Sequence, residues 1–424
     1  MEHLLHYVWK YKLYSLSGLV TTKGLPVSVI DPGIQNTDAG PDFFNAKIKI
    51  GETMWAGNVE IHSKASDWFL HRHHKDKAYD SVILHLAGTV DTDVCRTNGE
   101  AIPQVQLTIP LAVRKNIDWL IHRDIPIPCL YSIRDIERIH ISSWMSALLC
   151  ERLERKTKDI LLLMEQYNND WNEVFYIILT RCFGFGLNND AFEQLAKSLP
   201  LHAVYKQRSS CLQIEAMLFG QAGMLEEDET CCYYRQLQQE YKFLQHKYGL
   251  KPLTDGAVFK SLRVRPVNFP HIKIAQLAAV WHHCDTLFSA ILNEDDMQQI
   301  KNLFSIPASA YWDTHYHFKH ASPAKKKAPG NGALTIILIN AVAPMLFAYG
   351  QKNRQDAYCE RALRFLETIP PEKNHITAIY CRAGIQVCNA GDSQALIQLK
   401  KEYCDRKKCL HCRIGFRLLK RVNP

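Results

Sequence analysis

The sequence predicts an α/β domain with a mixed sheet, followed by a mainly α-helical region. Two observations carry this reading. Between Pro26 and about Pro110, apolar and polar residues alternate in short runs broken by Gly and Pro, which is the period of half-buried strands. After Asp135 the apolar positions recur every three to four residues, and no strand pattern competes over any long stretch. With 424 residues, 47% of them hydrophobic, the chain is long enough for two or three domains, and disorder or a collagen-like repeat is excluded. The expected boundaries are 1–125 for the α/β domain, 126–399 for the helical region, as one or two subdomains, and 400–424 for a basic, Cys-containing tail.

The elements follow in order. Leu4–Tyr14 reads as a helix ahead of the sheet, and Pro26–Ile30 as a short strand. Phe44–Ile50 puts Ala46, Ile48 and Ile50 on one face and Lys47 and Lys49 on the other; Met54–His62 alternates again. Gly51 and Glu52 lie between them, so the two strands form an antiparallel hairpin with a tight turn. Ser66–Lys77 is a loop or short helix. Ser81–Ala87 (SVILHLA) is nearly continuous in apolar residues, as in a central strand covered on both faces. Ile102–Ile109 is a last strand, placed near an edge by Pro103. Helices are expected at Ile136–Met164, Trp171–Cys182, Asp190–Leu199, Tyr233–Tyr248, Ile272–Leu292 and Gln355–Leu366. Ser322–Gly332 (SPAKKKAPGNG) reads as a linker or mobile loop.

The formal net charge of +8 is unevenly spread: −2 over residues 1–110, +3 over 111–399, and +7 over the last 25 residues. No run reaches the roughly 18 consecutive apolar residues of a membrane span, and Met1–Lys12 lacks the pattern of a signal peptide. The expectation is a cytoplasmic protein with no membrane partner. The 14 cysteines are scattered through helical stretches, so Cys150, Cys182, Cys211 and Cys284 are expected as free thiols.

The densest polar grouping runs from Asp38 to His85. Glu60 and His62 are two apart on a strand and share a face, with Val59 and Ile61 turned into the core. Asp42 lies just before the preceding strand, and the hairpin brings it toward Glu60. Two acidic groups with nearby His or Lys suit Mg²⁺ or Mn²⁺, which activates water and stabilises charge on a phosphodiester. A Gly-Pro-Asp turn, a hairpin and an apolar strand bearing Glu-x-basic resemble the PD-(D/E)xK nuclease superfamily, over about residues 1–110. That resemblance implies a restriction-endonuclease-like fold, with Asp42 and Glu60 as metal ligands, Glu2 as a further acidic residue, and a catalytic basic group two residues after Glu60. His62 stands where the family has lysine; Lys64, Lys47 or Lys49 would be the substitute. His71, His73, His74 and Asp76, with His62 or His85, form a rival ligand set for Zn²⁺ or Fe²⁺. The whole chain also resembles an uncharacterised bacterial family of unknown function, through NTDAGPDF, GNVEIHSKASDW, RPVNFPHIKIAQLA and CDRKKCLHCRIG.

At the other end, Cys404-x₄-Cys409-x₂-Cys412 offers three thiolates for Zn²⁺ or an iron–sulfur cluster, with Cys381, Cys388 or His411 as a fourth ligand. Arg406, Lys407, Lys408, Arg413 and Arg417 surround it, a basic cluster suited to a nucleic-acid backbone. Arg263–Gln276 and the aromatic, titratable run Trp312–His320 are further phosphate- or base-binding candidates, each weighed against a helix cap or packing cluster. The functional reading is a metal-dependent nuclease acting on DNA or RNA. The alternatives are a non-catalytic nucleic-acid-binding protein with a degenerate nuclease fold and a helical protein-interaction scaffold.

Overall fold

Alternation in the first hundred residues builds a seven-stranded mixed sheet in the computed structural model, which describes residues 2–14, 18–121, 125–227, 231–253 and 259–420. Helix α1 (Glu2–Lys10) precedes strands β1 (Leu19–Val20), β2 (Pro26–Asp31), β3 (Ile34–Gln35), β4 (Phe43–Ile50) and β5 (Thr53–Lys64). A short helix α2 (Asp67–Leu70) and two 3₁₀ turns lead to β6 (Val82–Thr89) and β7 (Gln104–Gln106). The strand order is β1-β2-β4-β5-β6-β7, with β3 pairing on β4.

Connection length decides strand direction. β4 and β5 are joined at Gly51 and Glu52, with Gly51 at φ 59°, so they run antiparallel, as do β1 with β2 and β2 with β4. Residues 65–81 make a crossover, and β6 runs parallel to β5, followed by β7 parallel to β6. β6 is buried on both faces from Val82 to Ala87. The last strand is shorter than Ile102–Ile109 and lies at the sheet edge beside Pro103.

Both faces of the sheet are covered, so Glu60 and His62 are buried as well as Val59 and Ile61. On one face lie Leu5, Val8 and Trp9 of α1, all buried, and the Trp9 indole donates to the Pro32 carbonyl at 3.0 Å. On the other, Trp68 of α2 is fully buried with Ala65, Val82, Ala87, Val94 and Ile102, and its indole donates to the Cys95 carbonyl at 3.1 Å. Truncating such an indole costs about 3–5 kcal/mol, so α2 is a fixed lid over the Glu60–His62 face.

The chain divides into two units: 1–144 with 382–385 and 399–424, and 145–381 with 386–398. The tail is therefore part of the first unit rather than a separate 400–424 segment. Its helix, Arg413–Leu419, packs on α3 (Leu111–Ile121), where Asn116 donates to the Leu418 carbonyl at 3.4 Å.

The second unit is helical. The expected Ile272–Leu292 helix is two, Pro270–His283 and Leu287–Asn293, separated where Cys284 turns extended. Ser322–Gly332 is not a free linker: Lys327 is 2% exposed, its ammonium donates to the Asp313 carbonyl at 2.8 Å, and its own carbonyl accepts from Gln276 at 2.9 Å. Trp312 is likewise a packing residue, fully buried and donating to Glu215 at 3.1 Å. Lys273 is buried, with its ammonium 4.6 Å over the Phe185 ring and donating to Gln276 at 3.3 Å. Asn331–Asn353 is long and apolar enough to span a bilayer, contrary to the reading of consecutive residues alone, and 67% of its most apolar window is buried inside the protein.

Candidate functional site

Asp42 is placed by the loop before β4. The Asn36 amide side chain donates to the carbonyls of Asp38, Ala39 and Pro41 at 3.0–3.2 Å, and the Asn36 backbone N–H donates to the Asp42 carbonyl at 2.8 Å. Gly40 sits at φ 107°, a conformation glycine adopts without a Cβ penalty. The turn delivers Asp42 to β5: its Oδ2 accepts from the Ile61 N–H at 2.9 Å, and its own N–H donates to Glu60 Oε2 at 3.0 Å. His6 of α1 faces Asp42 Oδ2 at 3.2 Å.

Glu60 is only 5% exposed, and its Oε1 lies 3.6 Å from His62 Nε2 and 3.5 Å from His73 Nε2. Burial, then the charge of Asp42, holds its carboxyl well above the usual carboxylate range, against the Asp42 N–H, and Glu2 adds to the effect. Burial opposes protonation of His6, but the hydrogen bond and charge of Asp42 outweigh it and raise its pKa. Burial and neighbouring imidazoles push His62 and His85 down to about 3 and His73 to about 4. These three rings are neutral at pH 7.

A chain of hydrogen bonds assigns the tautomers. The Gln104 side-chain nitrogen donates to the Thr92 carbonyl at 3.1 Å and lies 3.3 Å from His85 Nδ1. His85 Nδ1 is then an acceptor, so its proton is on Nε2, 2.9 Å from His62 Nδ1. His62 thereby carries its own proton on Nε2, between Glu60 Oε1 and His71 Nδ1, the latter at 3.2 Å. In this state His62 donates its N–H to His71 Nδ1, with Glu60 Oε1 beyond hydrogen-bond reach at 3.6 Å, and is not a base. His62, His71 and His73 nevertheless place ring nitrogens within 4.8 Å of one another, a metal-ligating group among the described residues.

The lysines do not join this site. Lys64 is exposed beyond the end of the buried stretch of β5 and its charge acts on Asp91; its backbone N–H donates to Asp67 at 3.0 Å. Lys49 pairs with Glu52 at 3.0 Å across the turn, and Lys47 is exposed. His74 packs on Phe69, and Asp76 caps a 3₁₀ turn through Ala78 N–H at 2.9 Å, so neither enters the ligand group. His6 and Gln104 are site residues that sequence spacing does not reveal, since α1 and β7 reach the hairpin only through the fold.

In the tail, Cys404, Cys409 and Cys412 do not form a compact ligand trio among the described residues. Cys409 Sγ instead donates to the Leu120 carbonyl at 3.6 Å. Cys129 is a neighbour that spacing misses: burial, then the proximity of Cys404, Cys412 and Cys409, raises its thiol pKa far above normal. The basic residues diverge. Arg406 pairs with Glu402 at 3.1 Å, Lys407 donates to the Ile125 carbonyl at 3.1 Å, and Lys408 is exposed. Arg413 stacks 5.0 Å over Trp144 and donates to Ser143 at 3.1 Å, while Arg417 contacts His140 Nδ1 at 3.1 Å.

The first unit is thus an α/β domain with a buried carboxylate and histidine site on its central hairpin. The profile of the family described as "Protein of unknown function (DUF2851)" matches residues 2–375, and the chain belongs to that family. The match carries no nuclease assignment. Among curated proteins none matches, and no solved structure matches.

Proposed function

We propose that the first unit is a metal-dependent phosphodiesterase acting on nucleic acid. The observation that carries this reading is the interlocked Asp42–Glu60 pair on the β4–β5 hairpin, flanked by His6, His62 and His73. The element order of a helix, antiparallel strands, a helical crossover and a parallel strand is consistent with that reading. Two carboxylates held this close repel one another when ionised, so the donor set fits a divalent cation. Asp42 and Glu60 would hold it, with His6 and His73 beside them. A bound cation supplies a lowered pKa for water and charge stabilisation at a phosphoryl oxygen. The nitrogen-rich surroundings favour Mn²⁺ or Zn²⁺ over Mg²⁺.

The residues around that position have distinct roles. Glu60 accepts the Asp42 N–H at one oxygen and faces the His62 and His73 rings with the other, at 3.6 and 3.5 Å. His62 stands where the family has a lysine, and His6, with its raised pKa, stores a proton next to Asp42. The tail cysteines and Cys129 form no metal-ligand group among the described residues and are read as protonated thiols apart from this chemistry. Cleavage of labelled DNA and RNA strands with Mn²⁺, compared between wild type and Asp42→Asn, tests the reading. Equal turnover in both, or none in wild type, overturns it.

A second reading is favoured by the outward position of Lys64: a nucleic-acid-binding domain that has lost catalysis with its lysine. It predicts salt-dependent binding with no turnover under any metal.

A further inference from the structure

Two cavities of the first unit adjoin one another. The larger, about 350 Å³, is lined by residues including Tyr11, His140, His411, Arg413, Phe416 and Arg417. The smaller, about 90 Å³, is lined by residues including His3, His6, Lys10, Gln35 and His411. They share Tyr11, Leu410 and His411, so together they form one groove from the tail helix along α1. Its inner end is His6, whose ring is 3.2 Å from Asp42 Oδ2.

Among the described residues that line the groove, none is acidic. Arg413 and Arg417 are held by Ser143 and His140, and among the described residues neither pairs with a carboxylate, so their charge is oriented but not neutralised. The exposed Glu137 faces His140 at 3.9 Å. Burial, then the charges of Lys10 and Lys408, hold the His411 pKa below its usual value. Tyr11, at the junction of the two cavities, and Phe416, in the larger one, are both half-buried with ring centroids 4.7 Å apart. Fixed cations with an aromatic platform are the chemistry of single-strand binding, in which phosphates meet the charges and bases stack on the rings. A duplex offers its bases to no such platform.

We infer that this groove, with Arg413, Arg417, Tyr11 and Phe416, holds a single strand of nucleic acid and leads it to the Asp42–Glu60 site. The inference rests on the proposed phosphodiesterase reading for its direction, and its binding test is independent of turnover. Full-length protein in EDTA is titrated into fluorescein-labelled 12-nucleotide DNA and RNA strands, single and annealed, followed by anisotropy across a salt series. Arg413→Gln/Arg417→Gln is expected to weaken single-strand binding at least tenfold and to lower the salt slope by about 1.4, two phosphate contacts at about 0.7 each. Phe416→Ala is expected to weaken binding with the slope kept, and Arg413→Lys to keep the slope. Thermal melting of each variant guards against unfolding. Unchanged affinity and slope in a folded double-glutamine protein, or tighter binding to the annealed duplex, overturns the groove. Mn²⁺-dependent turnover separates the two readings. Arginine-dependent binding without cleavage sinks the phosphodiesterase and leaves the groove; cleavage whose KM ignores both arginines does the reverse.

Discussion

Glu60→Gln separates a functional carboxylate from a structural one by reversing the usual sense of a core mutation. Glutamine keeps the size of Glu60 and an oxygen to accept the Asp42 N–H, so no cavity opens and no donor is orphaned. What changes is the proton balance. Burial and Asp42 raise the folded-state pKa of Glu60, whereas the unfolded chain ionises near 4.3. Above that pH the folded protein holds a proton that the unfolded state has lost, so stability falls with rising pH by about 1.4 kcal/mol per unit. If the proton is kept to pH 7, the metal-free protein loses up to about 3.5 kcal/mol relative to acid conditions. Urea denaturation in EDTA at pH 5, 6 and 7 should find Glu60→Gln more stable than wild type at pH 7, with the gap narrowing toward pH 5. Saturating Mn²⁺ at 100 times its Kd should then stabilise wild type by about 2.7 kcal/mol and the variant much less. A glutamine variant that is less stable than wild type at pH 7, with a parallel pH dependence, would show that Glu60 is a structural anion and refute this reasoning.

Three further outcomes are expected. Gln104→Glu makes the side chain an acceptor, moving the His85 proton to Nδ1 and freeing His62 Nε2 for a metal, so Co²⁺ or Zn²⁺ affinity should rise at least tenfold; isothermal titration showing no gain would contradict the tautomer chain. The tail thiols should carry no zinc: elemental analysis should find no more metal in wild type than in Cys129→Ser, and a loss of about one zinc per chain in the variant would contradict the protonated-thiol reading. Burial lowers Lys273 to about 8, so the unfolded state binds more protons between there and roughly 10.4. Stability should therefore rise with pH across that window by about 3 kcal/mol from this residue, and urea melts of Lys273→Met should lack that share; an equal rise in the variant would contradict it.

The strand order of the first unit was largely legible because periodicity and loop length report local geometry. The alternation of Ala46, Ile48 and Ile50 against Lys47 and Lys49 and the two-residue Gly51-Glu52 turn specify the hairpin, and the hairpin brings Asp42 to Glu60. The same reasoning misjudged the basic groups, because strand parity says which face a residue takes but not where along that face the cover ends. Lys64 shares a face with Glu60 yet lies past the buried stretch of β5. His6, Gln104 and Cys129 were illegible for a different reason, since each reaches its partners only through packing of remote segments. Ser322–Gly332 shows the opposite error: its Pro, Gly and Lys content is that of a loop, but Lys327 is anchored by a backbone carbonyl that no composition predicts. Asn331–Asn353 escapes a count of consecutive apolar residues because Thr335 and Asn340 interrupt it, while its mean hydropathy stays high.

The central claim is that Asp42 and Glu60 form a catalytic metal site, and metal-dependent strand cleavage tests it most directly. Turnover of single-stranded DNA or RNA should appear on Mn²⁺ titration, vanish in EDTA, and fall at least a thousandfold, about 4 kcal/mol of activation free energy, in Asp42→Asn and Glu60→Gln proteins that melt as folded chains. Persistent cleavage in either folded variant, or none by wild type with Mn²⁺, Mg²⁺ or Zn²⁺, would contradict the account.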